Sequence, residues 1–251
     1  MPRGKRERSE SGIYHIILRG INRQRIFEDE ADREAFLRSL DRSLERSGAI
    51  LYAWCLMSNH VHLLLQERSE GVDIVMKRLG SGYVLYYNQK NGRVGPLFQD
   101  RFRSEPVKDR EYWLTVLRYI HQNPVKAKLC RKCSEWRYSS YGEYAGKAER
   151  VDTSMLKAEM DTEQFQEWVE QPNGDICLDV AEQRETRLRD DKVVDMIAKT
   201  VGTSSITDFQ ALPEEEQERA LRKMQKKGAS IRQLQRLTGL SYYAVRKASK
   251  S

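Results

Sequence analysis

WCLMSNHVHLLLQ, residues 54–66, is the stretch on which the fold turns. Ile50 to Met57 reads as a strand, Ser58-Asn59 as a short polar break and His60 to Gln66 as a second apolar strand, so the two form a hairpin. Side chains at i and i+2 of a strand point to one face. His60 and His62 therefore present two imidazoles together, and such a pair can reach a single metal ion. The bland alternative is two half-buried strand histidines satisfied by hydrogen bonds. The chain has only 4 histidines in 251 residues, so two in this alignment make the metal reading worth testing.

Outward from the hairpin, GIYHIIL (12–18) reads as a strand, rich in β-branched and aromatic residues. Asp29 to Arg46 reads as a helix, with Phe36, Leu37, Leu40 and Leu44 at helical spacing and acidic residues in the first turn. Val72 to Gln89 reads as a second helix, with Ile74, Leu79, Val84 and Leu85 inward and Tyr86 or Tyr87 partly so. Asn91-Gly92 and Gly95-Pro96 punctuate a loop. Gln99 to Val107 reads as a fourth strand. Arg110 to Gln122 reads as a third helix, ended by Asn123-Pro124 because proline disfavours the α conformation before it. The order strand, helix, strand, strand, helix, strand, helix predicts an α+β domain, a ferredoxin-like antiparallel sheet with packed helices.

That domain is expected over 1–146. Residues 147–187 read as a linker with short helices, and 188–251 as an all-helical domain. Within it Pro213 before three glutamates marks a helix start and Gly228 a stop. SIRQLQRLTGLSYYAVRK (230–247) has the pattern of a helix-turn-helix. Ile231, Leu234 and Leu237 face inward, Gly239 allows the turn and Ser241 caps the next helix. Tyr242, Tyr243, Arg246 and Lys247 are then available to a DNA groove; the alternative is a small helical bundle used for packing.

The 44 basic and 37 acidic residues give a net charge of +7, which favours a polyanionic partner, nucleic acid first. No apolar run approaches the ~20 residues of a membrane helix, and the polar N-terminus carries no signal-peptide core. A cytoplasmic location without a membrane partner is the expectation. Cys130 and Cys133 form a C-x-x-C pair, but no second pair or matching histidines complete a zinc site, so the thiols read as unremarkable.

The second chemical feature is Tyr119-Ile-His-Gln-Asn123-Pro124. Residues i and i+4 share a helix face, so the Tyr119 phenol and the Asn123 amide point the same way. An amide oxygen suits a hard ion such as Mg²⁺ or Mn²⁺, and a phenol beside that ion is positioned to attack a phosphodiester. The alternative is a packed tyrosine with a capping asparagine. His121 and Gln122 fall on other faces, and His15 on the first strand reads as structural.

WCLMSNHVHLLLQ (54–66) resembles the histidine-hydrophobic-histidine signature of HUH enzymes, and RYIHQNPVKAKL (118–129) the tyrosine helix of single-tyrosine transposases. YHIILRGINRQRIF (14–27), GPLFQDRFRS (95–104) and EWRYSSYGEYAG (135–146) are similar to further segments of that family, nearest to its REP-associated branch. The resemblance covers about residues 11–145, in five blocks in the right order. It implies the HUH endonuclease fold, Tyr119 as nucleophile, His60, His62 and Asn123 as ligands of a divalent metal (Mg²⁺ or Mn²⁺), and a 5′-phosphotyrosine intermediate. It further implies cleavage and transfer of single-stranded DNA beside hairpin-bearing repeats, by a monomer or a homodimer. Arg19, Arg23 and Arg25 after the first strand, with Lys77, Arg78, Arg101 and Arg103, are expected to lie near the DNA, and Tyr83, Tyr86 and Tyr87 to stack on bases. A hairpin-binding protein that does not cleave, and a replication-initiator or relaxase nickase, are the rival readings. The intact quartet of Tyr119, His60, His62 and Asn123 argues against the first. Gln122, where initiators carry a lysine, and the tyrosine following the histidines argue against the second.

Overall fold

The structure, a computed structural model, describes residues 7–175, 177–178, 190–201 and 206–248. It divides into two compact units, Met1–Asp179 and Val180–Ser251.

The first unit is built on strands β1 (Ile13–Arg19), β2 (Ile50–Leu56), β3 (His60–Gln66) and β4 (Arg103–Pro106). They form one sheet in the order β2-β3-β1-β4, every neighbouring pair antiparallel. With helices α1 (Glu30–Ser47), α2 (Val72–Lys90) and α3 (Arg110–Lys126) between and after them, this is the expected ferredoxin-like arrangement. β1 and β3 lie at its centre and are buried on both faces. α1 starts at a capping box, in which the Asp29 carboxylate accepts from the Asp32 amide and the Asp32 side chain reaches back.

Three expectations need correction. α2 is rotated relative to the sequence reading: Val72, Val75, Met76, Leu79, Tyr83 and Tyr87 are buried, while Ile74 and Leu85 are 47% and 61% exposed. The inward stripe runs at i+3 and i+4 through Tyr83 and Tyr87, of which the sequence pattern gives Tyr87 only a partial share and Tyr83 none. β4 is shorter than Gln99–Val107, since only Arg103–Pro106 pair with β1. α3 does not stop at Asn123-Pro124 but runs on to Lys126. Proline lacks one donor, yet Ala127 N still donates to Asn123 O (2.9 Å) and Leu129 N to Pro124 O (2.9 Å), so the local preference yields to the ladder around it.

Residues 151–170, expected within a linker, belong to the core of the first unit. α4 (Tyr141–Ala145), α5 (Ser154–Lys157) and α6 (Thr162–Glu170) bring Tyr141, Tyr144, Leu156, Phe165 and Val169 into the same apolar cluster as the sheet, and Val151 joins it from the connection before α5. A strap after α6 then clamps α3. Gln122 donates to Val169 O (2.7 Å) and Gln171 O (2.9 Å) and accepts from Asn173 (2.8 Å). Arg118 makes a two-pronged ion pair with Asp175 (2.8 and 2.9 Å) and lies over the Trp168 ring. Residues 179–189, the end of the expected linker and the start of the helical domain, lie outside the described residues.

The second unit comprises α7 (Asp190–Val201), α8 (Ile206–Ala211), α9 (Glu214–Lys226), α10 (Ile231–Thr238) and α11 (Tyr242–Lys247). Val193, Ile197, Phe209, Leu221, Met224, Leu234 and Val245 form its core. α10 begins at a Ser230–Gln233 capping box and ends at Gly239, whose left-handed φ of 70° favours glycine. Ser241 then caps α11 through the Ala244 amide. Among the described residues no helix is long and apolar enough to cross a membrane.

Candidate active site

His60 and His62 project from one face of β3, their ring centroids 5.0 Å apart. Both rings are anchored through Nδ1. That of His60 lies 2.7 Å from Asn59 Oδ1 and that of His62 lies 3.0 Å from His15 Nε2. His62 is fully buried, and its Nε2 has no hydrogen-bond partner among the described residues. Burial, with the neighbouring His60 and His15, holds its imidazole well below the usual pKa, hence neutral. A buried, neutral, orphaned ring nitrogen is an unusual thing to leave in a core unless something binds it.

The loop at the end of the hairpin is tightly braced. Gly20 N donates to Asn59 O (2.9 Å), Ile26 N to Ser58 O (2.9 Å) and the Asn59 amide to Arg23 O (3.2 Å). A Cβ at Gly20 would stand 2.3 Å from Gln24 O, so only glycine fits there. Asn22 and Arg23 both hold positive φ (51° and 61°), local strain of the kind concentrated at functional sites.

α3 lies over β2 and β3 and delivers Tyr119 to this face. The Tyr119 ring stands edge-on to His62, centroids 5.8 Å apart, and to His15 at 5.9 Å. It is 6% exposed, with Lys126 Nζ over it at 4.9 Å. Asn123 sits one turn further on, half-buried, its amide NH₂ donating to Tyr119 O at 2.9 Å. That bond turns the amide nitrogen back to the helix. The structure thus brings His60, His62 and Tyr119 together from distant stretches, with Asn123 on the adjoining turn.

His15, read from sequence as structural, and Glu105, not singled out, turn out to belong to this cluster. Register carries both: His15 pairs with Leu64 and Glu105 with His15, two places along from the Ile17–His62 pair and on the same sheet face. Cross-strand register was the missing signal. His121 is a core residue, its Nε2 2.8 Å from Ser140 Oγ among Tyr141, Tyr144 and Phe165.

Of the residues expected at DNA, Arg19 pairs with His60 across the sheet and Arg103 with Ile17, both on the histidine face. Arg23, Arg25, Arg101 and Arg103 are exposed. Arg78 is instead ion-paired to Glu70 (2.8 Å). Tyr83 and Tyr87 cannot serve as stacking platforms, because both are buried; the Tyr83 hydroxyl donates to Ile26 O. Tyr86 is half-buried. In the second unit Tyr242, Tyr243 and Arg246 are exposed, while Lys247 is engaged by Glu214 (2.8 Å) and Glu218 (3.3 Å).

Among the described residues no group of three or more His, Cys, Asp or Glu side chains is arranged to hold a metal. The cysteines are unbridged. A metal at the His60–His62 pair would therefore need a donor of another type. Two imidazoles with an amide oxygen suit a divalent ion, and the orphaned His62 Nε2 fits that use.

The profile of the family described as "Transposase IS200 like" matches residues 9–123. Among solved structures, a REP-associated tyrosine transposase bound to a REP hairpin aligns with a TM-score of 0.53 at 13% identity. That alignment covers 71% of this chain and 95% of that one, a likeness of fold. A putative transposase from Deinococcus radiodurans R1 aligns at 21% identity and a TM-score of 0.34, over 48% of this chain and 96% of that one. No curated protein sequence matches the chain.

Proposed function

We propose, from the match of residues 9–123 to the IS200-like transposase family, that this chain is a transposase of that kind and cleaves and rejoins single-stranded DNA through Tyr119. The observation that carries the reading is the convergence of Tyr119 with His62 and His60 on one sheet face. Arg19 and Arg103 on that face, with exposed Arg23 and Arg101 elsewhere on the domain, suit a phosphate backbone. A structure of the same fold was solved with a REP hairpin, which supports a hairpin-bearing single strand as substrate.

In this reading the Tyr119 hydroxyl attacks a backbone phosphorus. The Tyr119 oxygen bonds to phosphorus, the bond to the 3′ oxygen breaks, the phenol loses its proton and the departing oxygen gains one. The products are a 5′-phosphotyrosine and a 3′-OH. Because the tyrosyl ester conserves the bond energy, a second 3′-OH can displace Tyr119 and join the strands without ATP. His60, His62 and the Asn123 amide oxygen would hold Mg²⁺ or Mn²⁺, which would supply charge neutralisation to the phosphate under attack. Exposed Tyr242 and Arg246 on α11, with the tight Gly239 turn before it, support a helix-turn-helix that contacts duplex DNA. The 1–146 catalytic segment and the 188–251 helical segment then divide the work between cleavage and anchoring.

The test is incubation of the full chain with a labelled hairpin-bearing single strand, Mn²⁺ and Mg²⁺. A covalent DNA adduct at Tyr119, absent in Tyr119→Phe while hairpin binding persists, is expected. An adduct of equal yield in Tyr119→Phe would remove Tyr119 from the role.

A further inference from the structure

A chain of groups on the same sheet face leads away from His62 along the strands. His62 Nδ1 lies 3.0 Å from His15 Nε2. His15 Nδ1 faces Glu105 Oε2 at 4.0 Å. That same carboxylate oxygen accepts the Tyr112 hydroxyl (2.6 Å) and the Leu178 amide (2.9 Å). His15 and His62 are both fully buried, and their rings stack at 5.3 Å between centroids with 23° between planes. Neither can turn without losing its neighbour.

If both imidazoles are neutral, one proton arrangement suits the neighbouring charge and the burial of His62 best. A neutral imidazole carries one N–H and one lone pair. At 4.0 Å Glu105 acts on His15 through its charge and not through a hydrogen bond, and that negative charge favours the His15 hydrogen on Nδ1. His15 Nε2 is then a lone pair and must accept. His62 must donate to it through Nδ1–H, which leaves the His62 lone pair on Nε2. That nitrogen has no protein hydrogen-bond partner among the described residues. The opposite arrangement would put an N–H on His62 Nε2 with nothing to receive it and direct the His15 Nδ1 lone pair at a carboxylate.

We propose that His15 and Glu105 are positioning residues, a carboxylate–histidine relay that holds His62 in the tautomer and ring orientation needed to bind a divalent cation through Nε2. Tyr112 of α3 and Leu178 of the strap after α6 hold the carboxylate in place. The relay therefore ties the ligand histidine to the helix that carries Tyr119. His15 also packs edge-on against Tyr119, so one side chain supports both halves of the site. This inference rests on the metal reading of His60 and His62 given above.

The experiment measures Mn²⁺ binding to the full-length protein without DNA, by electron paramagnetic resonance and calorimetry, together with the ¹⁵N resonances of the histidine rings in the metal-free state. Partners of this kind typically contribute roughly 10–100-fold in metal affinity, and His15→Leu is expected to lose about that much. His15→Gln, which keeps a side-chain acceptor, recovers most of the loss, and Glu105→Gln gives a smaller loss. The ¹⁵N spectrum is expected to show His62 protonated on Nδ1 in the wild type and mixed tautomers in His15→Leu. Thermal melts verify that each variant is folded, and His15→Gln carries the test should His15→Leu fail to fold. Mn²⁺ affinity unchanged in His15→Leu but lost in His62→Ala overturns the relay alone. A wild-type His62 protonated on Nε2 also overturns it. Wild-type protein that binds no Mn²⁺, or a His62→Ala variant that binds it normally, overturns the metal reading and the relay with it.

Discussion

The ring of Tyr119 stands edge-on to that of His62, centroids 5.8 Å apart and planes at 75°, although 57 positions separate the two residues in the chain (119 − 62). One comes from the centre of a four-stranded sheet and the other from a helix laid across it. Neither backbone is irregular at these positions, so the geometry is set by packing and not by a mobile loop. Sites built on rigid elements hold their reacting groups more closely than sites on loops.

Removing the histidine should remove the dependence on metal. His62→Ala is expected to abolish cleavage of a hairpin-bearing strand in Mn²⁺, and EDTA to do the same to the wild type. Hairpin affinity, measured in EDTA, should change little in either case. Persistent cleavage by His62→Ala would separate the reaction from this histidine.

Asn123 offers a finer test on the neighbouring turn. Asn123→Leu keeps the volume and deletes the amide oxygen, and should weaken Mn²⁺ binding while leaving the melting temperature near that of the wild type. Its side-chain bond to Tyr119 O is half-buried and contributes about 1 kcal/mol. Unchanged Mn²⁺ affinity would exclude Asn123 as a ligand.

Phe165 measures whether residues 151–170 are core or connection. It is 1% exposed and packs on Tyr144 and Tyr141 at 5.2 and 5.6 Å between centroids. Phe165→Ala is expected to cost about 3–5 kcal/mol, read as a lowered denaturation midpoint of the first unit. A cost near zero would return this segment to the status of a linker.

In the second unit, Arg246→Ala should weaken duplex DNA binding and reduce the slope of log affinity against log salt by about 0.9 if Arg246 neutralises one phosphate. Lys247→Ala should do less, because Glu214 and Glu218 already engage that ammonium. Equal salt slopes for Arg246→Ala and the wild type would take α11 off the DNA.

The thiols predict a pH response. Burial pushes Cys133 and Cys177 up to about 12, and the thiolate is the reactive form. At pH 8 a thiol reagent should label half-buried Cys130 before either of them in the native protein, with labelling accelerating as pH rises. Prompt labelling of Cys177 at pH 8 would contradict its burial.

The period-2 pattern of β3 and the apolar stripe of α1 were legible because strand alternation and helical spacing are local consequences of burying one face. The pairing of His60 with His62 followed from the same alternation, and the shared face of Tyr119 and Asn123 from the helical repeat. Local rules misjudged the phase of α2, where tyrosines supply the buried stripe, and the end of α3, where the ladder continues through Pro124. They also assigned Tyr83 and Tyr87 to a surface that the core claims.

By itself, then, the sequence determined the order of strands and helices, the two chemically loaded segments and the turn chemistry of the second unit, because each depends on neighbours a few residues apart. Only the tertiary structure decided that His15 and Glu105 join His62, and that residues 151–175 clamp the tyrosine helix. Those contacts depend on cross-strand register and on long-range burial. Neither leaves a periodic trace along the chain, because each is settled by which surfaces lose most water when the elements pack together.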